Sequence, residues 1–256
     1  MDRKPRRRVA KAPARQRALR PDRELIDLIR NELARRADPD RARQAQAYMK
    51  SAMRFYGVPV PEVRKLTQAA CAAGQPLEFE EWVDTVLTFY RDAKYREERY
   101  AVLGITGFRR YRQFHTMQAL PLYEELIVTG AWWDLVDEAS IRVGWILERC
   151  PKELRPKLIA WARGPDLWKR RTSIICQGRL RERTDLELLY ACIEPSLGER
   201  EFFLQKAIGW ALRDVAWFNP KETLRYVRAQ RTQLSPLAKR EALKNLLKQG
   251  VISEVP

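Results

Sequence analysis

An all-α fold is predicted by three observations. Apolar residues recur every three or four positions from residue 22 onward, sustained period-two alternation is almost absent, and helix-breaking residues punctuate the chain at regular intervals. The pattern predicts helices over 22–37 and 40–55, closed by Gly57 and Pro59, then 60–73, closed by Gly74 and Pro76. Helices over 78–91, 94–109 and 112–129 follow as far as Gly130, and 131–149 runs up to Pro151. Next come 152–163 before Gly164 and Pro165, then 166–180 and 184–194 before Pro195 and Gly198. The last three, 199–216, 219–229 and 235–248, are separated by Asn219-Pro220 and Ser235-Pro236. Proline lacks the amide that the helical ladder needs, and glycine takes the left-handed backbone that ends helices.

Thirteen helices joined by short loops pair naturally as antiparallel hairpins, about six of them, each of about 35–45 residues. That is the unit of a HEAT-like array. The expectation is therefore a curved solenoid over residues 21–256, preceded by a basic tail over 1–20 that lacks amphipathic period and orders only on a partner.

Composition narrows the partner. The chain has 256 residues, 45% of them hydrophobic, so a real core can form; 49 Lys and Arg face 33 Asp and Glu, for a net charge of +16. Residues 1–20 carry +8 of this (nine basic side chains against Asp2), which leaves the folded body basic in its own right. An anionic partner, and nucleic acid above all, follows from that balance. The four cysteines form no Cys-x-x-Cys pair and the single histidine, His115, has no cysteine beside it, so neither a metal, a cofactor nor a disulfide framework is expected. No apolar run approaches the ~18 residues of a membrane helix, and the N-terminus has no apolar signal segment. A cytoplasmic monomer with reduced thiols is the expectation.

Three segments carry candidate chemistry. In Ala131 to Glu138, Trp133 and Asp137 share one helical face, and the helical neighbours of Asp137 are Trp133, Val136, Ser140, Ile141 and Gly144. Asp134, Glu138 and Arg142 read as a separate, solvated row, with Glu138 and Arg142 spaced as an ion pair. Arg171 is similarly set among Trp168, Ile174 and Ile175, while Arg170 shares a row with Asp166, Ser173 and Gln177 that reads as solvated. Lys206, Trp210 and Arg213 fall at i, i+4 and i+7, a cationic face around an indole. Taken alone, a carboxylate on an apolar face has an ordinary explanation, a buried Asp satisfied by backbone or by an arginine. The spacing argues for more. Asp137 to Arg171 is 34 residues and Arg171 to Trp210 is 39, each about one helix pair, so Trp133, Asp137, Arg171 and Trp210 converge if equivalent helices stand side by side.

Several motifs resemble the alkylpurine DNA glycosylases of the AlkD type over residues 24–249. These are Ala47-Tyr48-Met49-Lys50 with Gly57 and Pro61-Glu62-x-Arg64, the run Leu122 to Asp137, Trp168-x-x-Arg171, Glu201 to Arg213, and Leu237-x-Lys239-Arg240-Glu241-Ala242. The resemblance implies a bacterial HEAT-repeat enzyme that removes N3- and N7-alkylated purines from duplex DNA while the lesion stays stacked. By that resemblance Asp137 is the catalytic aspartate, Trp133 and Trp210 the site tryptophans, Arg171 the site arginine, and Tyr48 a residue near the DNA. Lys50, Lys206, Arg213, Lys239 and Arg240 are the expected DNA-binding cations, and a nucleoid-associated protein is implied. The chain departs from the family at Pro59, where a polar residue follows the family's Gly-Ile dipeptide.

The chemistry suits a sparse site. A purine alkylated at N3 or N7 already carries positive charge and leaves as a neutral base, so no general acid is needed. Asp137 would stabilise an oxocarbenium-like sugar and place a water, and the two indoles would offer faces to the cation at about 1–2 kcal/mol each. Arg171 would hold a phosphate or orient Asp137. The alternative, a non-catalytic HEAT-like scaffold or duplex binder, accounts for the composition but not for a carboxylate and a guanidinium set one pair apart in apolar stripes. An RNA-binding repeat protein is disfavoured because no two-residue base code recurs from helix to helix.

Overall fold

The computed structural model describes residues 20–255. Among these the regular structure is helical, with one isolated bridge between Arg54 and Tyr95. Thirteen α-helices follow in order: α1 Arg23–Arg35, α2 Pro39–Met49, α3 Val60–Ala73, α4 Phe79–Arg91, α5 Arg96–Thr106, α6 Leu120–Gly130, α7 Trp133–Arg149, α8 Pro151–Arg163, α9 Leu167–Ile175, α10 Leu186–Ile193, α11 Phe202–Ala216, α12 Pro220–Ala229 and α13 Pro236–Lys248. The basic tail expected over 1–20 lies outside the described residues apart from Arg20. The Arg20 amide donates to Asp84 Oδ2 at 2.9 Å, and Asp22 caps α1 through Leu25 N at 2.9 Å.

From α3 on, every second helix belongs to one row. Helices α3, α5, α7, α9, α11 and α13 begin 34–37 residues apart, and each packs directly on the next. Helices α4, α6, α8, α10 and α12 lie behind them and touch one another less, so the odd-numbered row is the inside of the bend. This is the solenoid the periodicity predicts. Its core is one continuous apolar cluster running from Ile26 and Ile29 in α1 to Leu243 and Leu246 in α13.

Three helices depart furthest from the bounds that the pattern predicts. The segment 40–55 stops at Met49, where Lys50 turns left-handed (φ 49°) and Arg54 leaves to bridge Tyr95. The segment 112–129 becomes two 3₁₀ turns, 109–114 and 117–119, followed by α6, because Pro121 is tolerated only in the first turn of a helix. The segment 166–180 stops at Ile175, and Gln177 then holds the following loop by exchanging bonds with the Asp185 backbone at 2.8 and 3.1 Å.

Two close approaches shape the inner row. Gly144 of α7 sits where a Cβ would fall 2.1 Å from the Cys176 carbonyl oxygen, at the end of α9. Gly209 of α11 sits where a Cβ would fall 2.5 Å from Glu241 Cβ and 2.9 Å from the Ala238 carbonyl oxygen of α13. With hydrogen in place of a side chain, the paired helices come to backbone contact at these points.

Candidate active site

The site is built from the N-terminal parts of α7 and α9 and the middle of α11 and α13. Ala131 takes a left-handed conformation (φ 41°) after α6, and Trp132 and Trp133 then diverge across the first turn of α7. Trp132 turns toward α9 and α11, where its ring centroid lies 6.3 Å from Trp168 and 5.4 Å from Phe203. Trp133 turns the other way and lines a cavity of about 470 Å³ between α2, α3, α5 and α7, together with Tyr48, Met49, Val63 and Glu138. Tyr48 stands at its edge, 76% exposed.

One turn into α7, Asp137 meets Arg171 of α9. Arg171 Nε donates to Asp137 Oδ1 and Nη2 to Oδ2, both at 2.7 Å, and Nη1 donates to the Phe203 carbonyl at 2.5 Å. The guanidinium lies 5.1 Å from the centroid of the Trp210 ring. A second contact in the same interface, Ser140 Oγ to Thr172 Oγ1 at 3.1 Å, fixes the helix register that this pair requires.

The two partners differ in access. The Arg171 side chain is 1% exposed and that of Asp137 is 23% exposed. Three of its five N–H donors are used and the side chain is buried, so Arg171 is out of reach of a phosphate, and its contacts are those that orient Asp137. Asp137 accepts two of about four bonds open to a carboxylate, and its free edge is open. Burial pushes its carboxyl above the ordinary value and the charge of Asp134 adds to this, while the hydrogen bonds and charge of Arg171 oppose it. Arg171 donates to both carboxyl oxygens, the geometry of a carboxylate paired with a guanidinium.

Three expectations need correction. Asp134, Glu138 and Arg142 are not a solvated row. Arg96, itself 5% exposed, grips Asp134 through Nε at 3.0 Å and Nη2 at 2.5 Å, and the Tyr100 hydroxyl donates to the same carboxylate at 2.6 Å. Arg142 is 5% exposed and pairs with Glu138 at 2.7 Å. The Arg170 row is not solvated either: Ser173 and Gln177 are buried, and Arg170 binds Ser196 Oγ and Glu199, both at 2.9 Å. Both errors have one cause. A single-helix wheel shows α5 and α10 as solvent when they are neighbours.

The third correction concerns the cationic face of Lys206, Trp210 and Arg213, which is neutralised in part. Glu241 of α13 accepts from all three. The signal for it was present, since Glu241 follows Lys206 by 35 residues, one repeat. Asp137 is thus not alone on this face among carboxylates. Of the remaining expected cations, Lys50 and Arg240 are exposed, and Lys239 reaches back to the Arg231 carbonyl at 3.3 Å. Among the described residues no His, Cys, Asp and Glu group is arranged to hold a metal ion, and no helix is long and apolar enough to cross a membrane.

A basic helical solenoid with a clamped, half-open carboxylate on its inner row defines the class of molecule. Comparison with known proteins supplies the family. The sequence matches the family model described as DNA alkylation repair enzyme over residues 29–246, and the chain belongs to that family. Among solved structures it is similar to a predicted DNA alkylation repair enzyme from Enterococcus faecalis, with 28% sequence identity and a TM-score of 0.73, covering 83% of this chain and 98% of that one. No curated protein matches.

Proposed function

We propose that the protein is a DNA glycosylase that hydrolyses the N-glycosidic bond of cationic N3- or N7-alkylated purines, such as 3-methyladenine and 7-methylguanine, in duplex DNA. The observation that carries this reading is the Asp137–Arg171 pair, a carboxylate held by two 2.7 Å bonds with its outer edge open on the inner row of a basic solenoid. Membership of a DNA alkylation repair family supports it.

The reaction needs few groups. As the bond from C1′ to the purine breaks, its electron pair neutralises the cationic base, which departs without a proton. Asp137 faces the positive charge left on the sugar, a preorganised anion where charge develops. A water oxygen then bonds to C1′, and its proton passes to Asp137 and on to solvent. Arg171 stays buried and keeps the carboxylate aimed. Trp210 has one face occupied by the Arg171 guanidinium, so it acts as part of that clamp, and Trp133 and Tyr48 form the adjoining wall. Lys206 and Arg213, which share Glu241 with Trp210, are cations beside the site for the DNA backbone.

Incubation with N7-methylated duplex DNA tests the reading. Release of free 7-methylguanine at a rate above the spontaneous one is expected. Tight duplex binding with no base released would instead identify a non-catalytic binder.

A further inference from the structure

Three donors of α11 end on one carboxylate of α13. Lys206 Nζ reaches Glu241 Oε1 at 2.7 Å, while Arg213 Nη1 and the Trp210 indole N–H reach Oε2 at 2.9 and 3.2 Å. The Glu241 side chain is 15% exposed and those of both cations are 24% exposed. Burial acts to raise the Glu241 carboxyl, and the bonds and charges of Lys206, Arg213 and the indole outweigh it, so its value lies below the ordinary range. The glutamate is ionised at neutral pH. Its place is set by Gly209, which brings the backbones of α11 and α13 together directly under it. The indole it holds presents its face to Arg171 at 5.1 Å and to Lys206 at 5.6 Å.

An ammonium, a guanidinium and an N–H converging on one anion are also the donor set that grips a phosphodiester oxygen. We propose that Glu241 is the internal counter-anion of the site, holding Lys206 and Arg213 in the free protein and ceding them to a backbone phosphate when DNA binds, while it keeps Trp210 turned to Arg171. The proposal rests on the reading of the inner row as a DNA-binding, base-excising surface. Glu241 is a positioning residue: it acts through Trp210, Lys206 and Arg213. It also makes binding an exchange of one anion for another, which lowers affinity for any duplex and confines the strongest grip to DNA seated deeply enough to displace it.

Two variants test this. Glu241→Gln keeps the size and one acceptor for the indole but deletes the charge, and Glu241→Asp keeps the charge with a shorter reach. Affinity for an undamaged duplex is measured by anisotropy across a salt series, and single-turnover release of 7-methylguanine is measured alongside. The Gln variant is expected to bind about tenfold tighter at low salt, with a log–log slope steeper by about one to two units as two cations become free for phosphates. Its release rate is expected to fall by about tenfold or less, because the indole is held more loosely. The Asp variant should keep the wild-type slope to within about half a unit, which preserves the test if the Gln variant does not fold. An unchanged slope in folded Glu241→Gln overturns the proposal, as does an equal loss of affinity in both variants, the result of a mere structural brace. If the wild-type protein binds DNA steeply with salt but releases no methylated base, the proposed activity fails, and the slopes still decide the role of Glu241.

Discussion

At the scale of single residues, the unequal exposure of Asp137 and Arg171 determines what each substitution does. Asp137→Asn removes charge from the open edge and leaves the shape, so duplex binding is expected to persist while single-turnover excision falls by about 10–10³-fold, the range for losing one electrostatic stabiliser. In the proposed mechanism the active form is the carboxylate, and burial raises its pKa. Excision is therefore expected to fall as acid protonates Asp137, beginning above the pH at which a free aspartate would titrate; a rate that rises as acid is added contradicts this. Asp134 behaves differently. Its charge is buried against Arg96 and Tyr100, so Asp134→Asn strands a buried guanidinium, and thermal melting should report a loss of about 3 kcal/mol. Asp214 gives the opposite sign. Burial lifts its carboxyl to about 6, with Arg213 and Arg179 opposing, so the folded protein holds that proton more tightly than the unfolded chain and loses stability as pH rises toward 6. Asp214→Asn is expected to melt higher than wild type at pH 7.5 and no higher at pH 3.5. The apolar setting of Asp137 and Arg171 was legible in the sequence because it is a property of each helix alone. The burial of Asp134, Arg142 and Gln177 was not, because it is created by groups outside their own helices.

At the scale of helices, glycines mark where the inner row closes up. Gly144→Ala places a methyl carbon about 2.1 Å from the Cys176 carbonyl, which α7 and α9 can relieve only by parting. Overpacking of this kind costs about 1–3 kcal/mol. It also stretches the 2.7 Å bonds between Asp137 and Arg171, so excision should fall more than melting alone explains, and a crystal structure should show the wider gap. Gly74→Ala makes the comparison, since its nearest contact would be 3.5 Å and its backbone is extended; it should leave excision unchanged. Helix number and order were readable from apolar period and punctuation. Helix ends were not where the competing force was tertiary: α2 stops at Met49 because Arg54 leaves to pair with Tyr95, and α9 stops at Ile175, where Gln177 is drawn to the Asp185 backbone. Pro121 is the exception, a boundary that the sequence did carry and that a long apolar run obscured.

At the scale of the whole molecule, a body that is basic without its tail leads us to expect phosphate contacts as the main source of duplex affinity. Duplex binding should weaken steeply with salt, with a log–log slope of several units, and vary little with sequence. Deleting residues 1–19 spares the Asp84 and Thr85 contacts that anchor the chain at Arg20 and Asp22, so it should lower affinity for any duplex about equally and leave the single-turnover rate of bound substrate intact. The inner row has one further consequence. Its helices are bonded toward their N-terminal ends, as Arg96 to Asp134, Asp137 to Arg171, and Lys206 to Glu241 show, and Gly178, just past the end of α9, lies beside Asp214 in the last turn of α11. Their peptide dipoles therefore point the same way, and each helix contributes roughly half a positive charge to one rim and half a negative charge to the other. The face formed by the inner row is electrically polarised across its width. A double-stranded polyanion lying on it meets two unlike rims: backbone amides attract the strand along the first, and carbonyls repel the strand along the second unless arginine and lysine side chains intervene. The two strands of a duplex bound there would thus be distinguished before any base is touched, and Asp137 stands on the amide side.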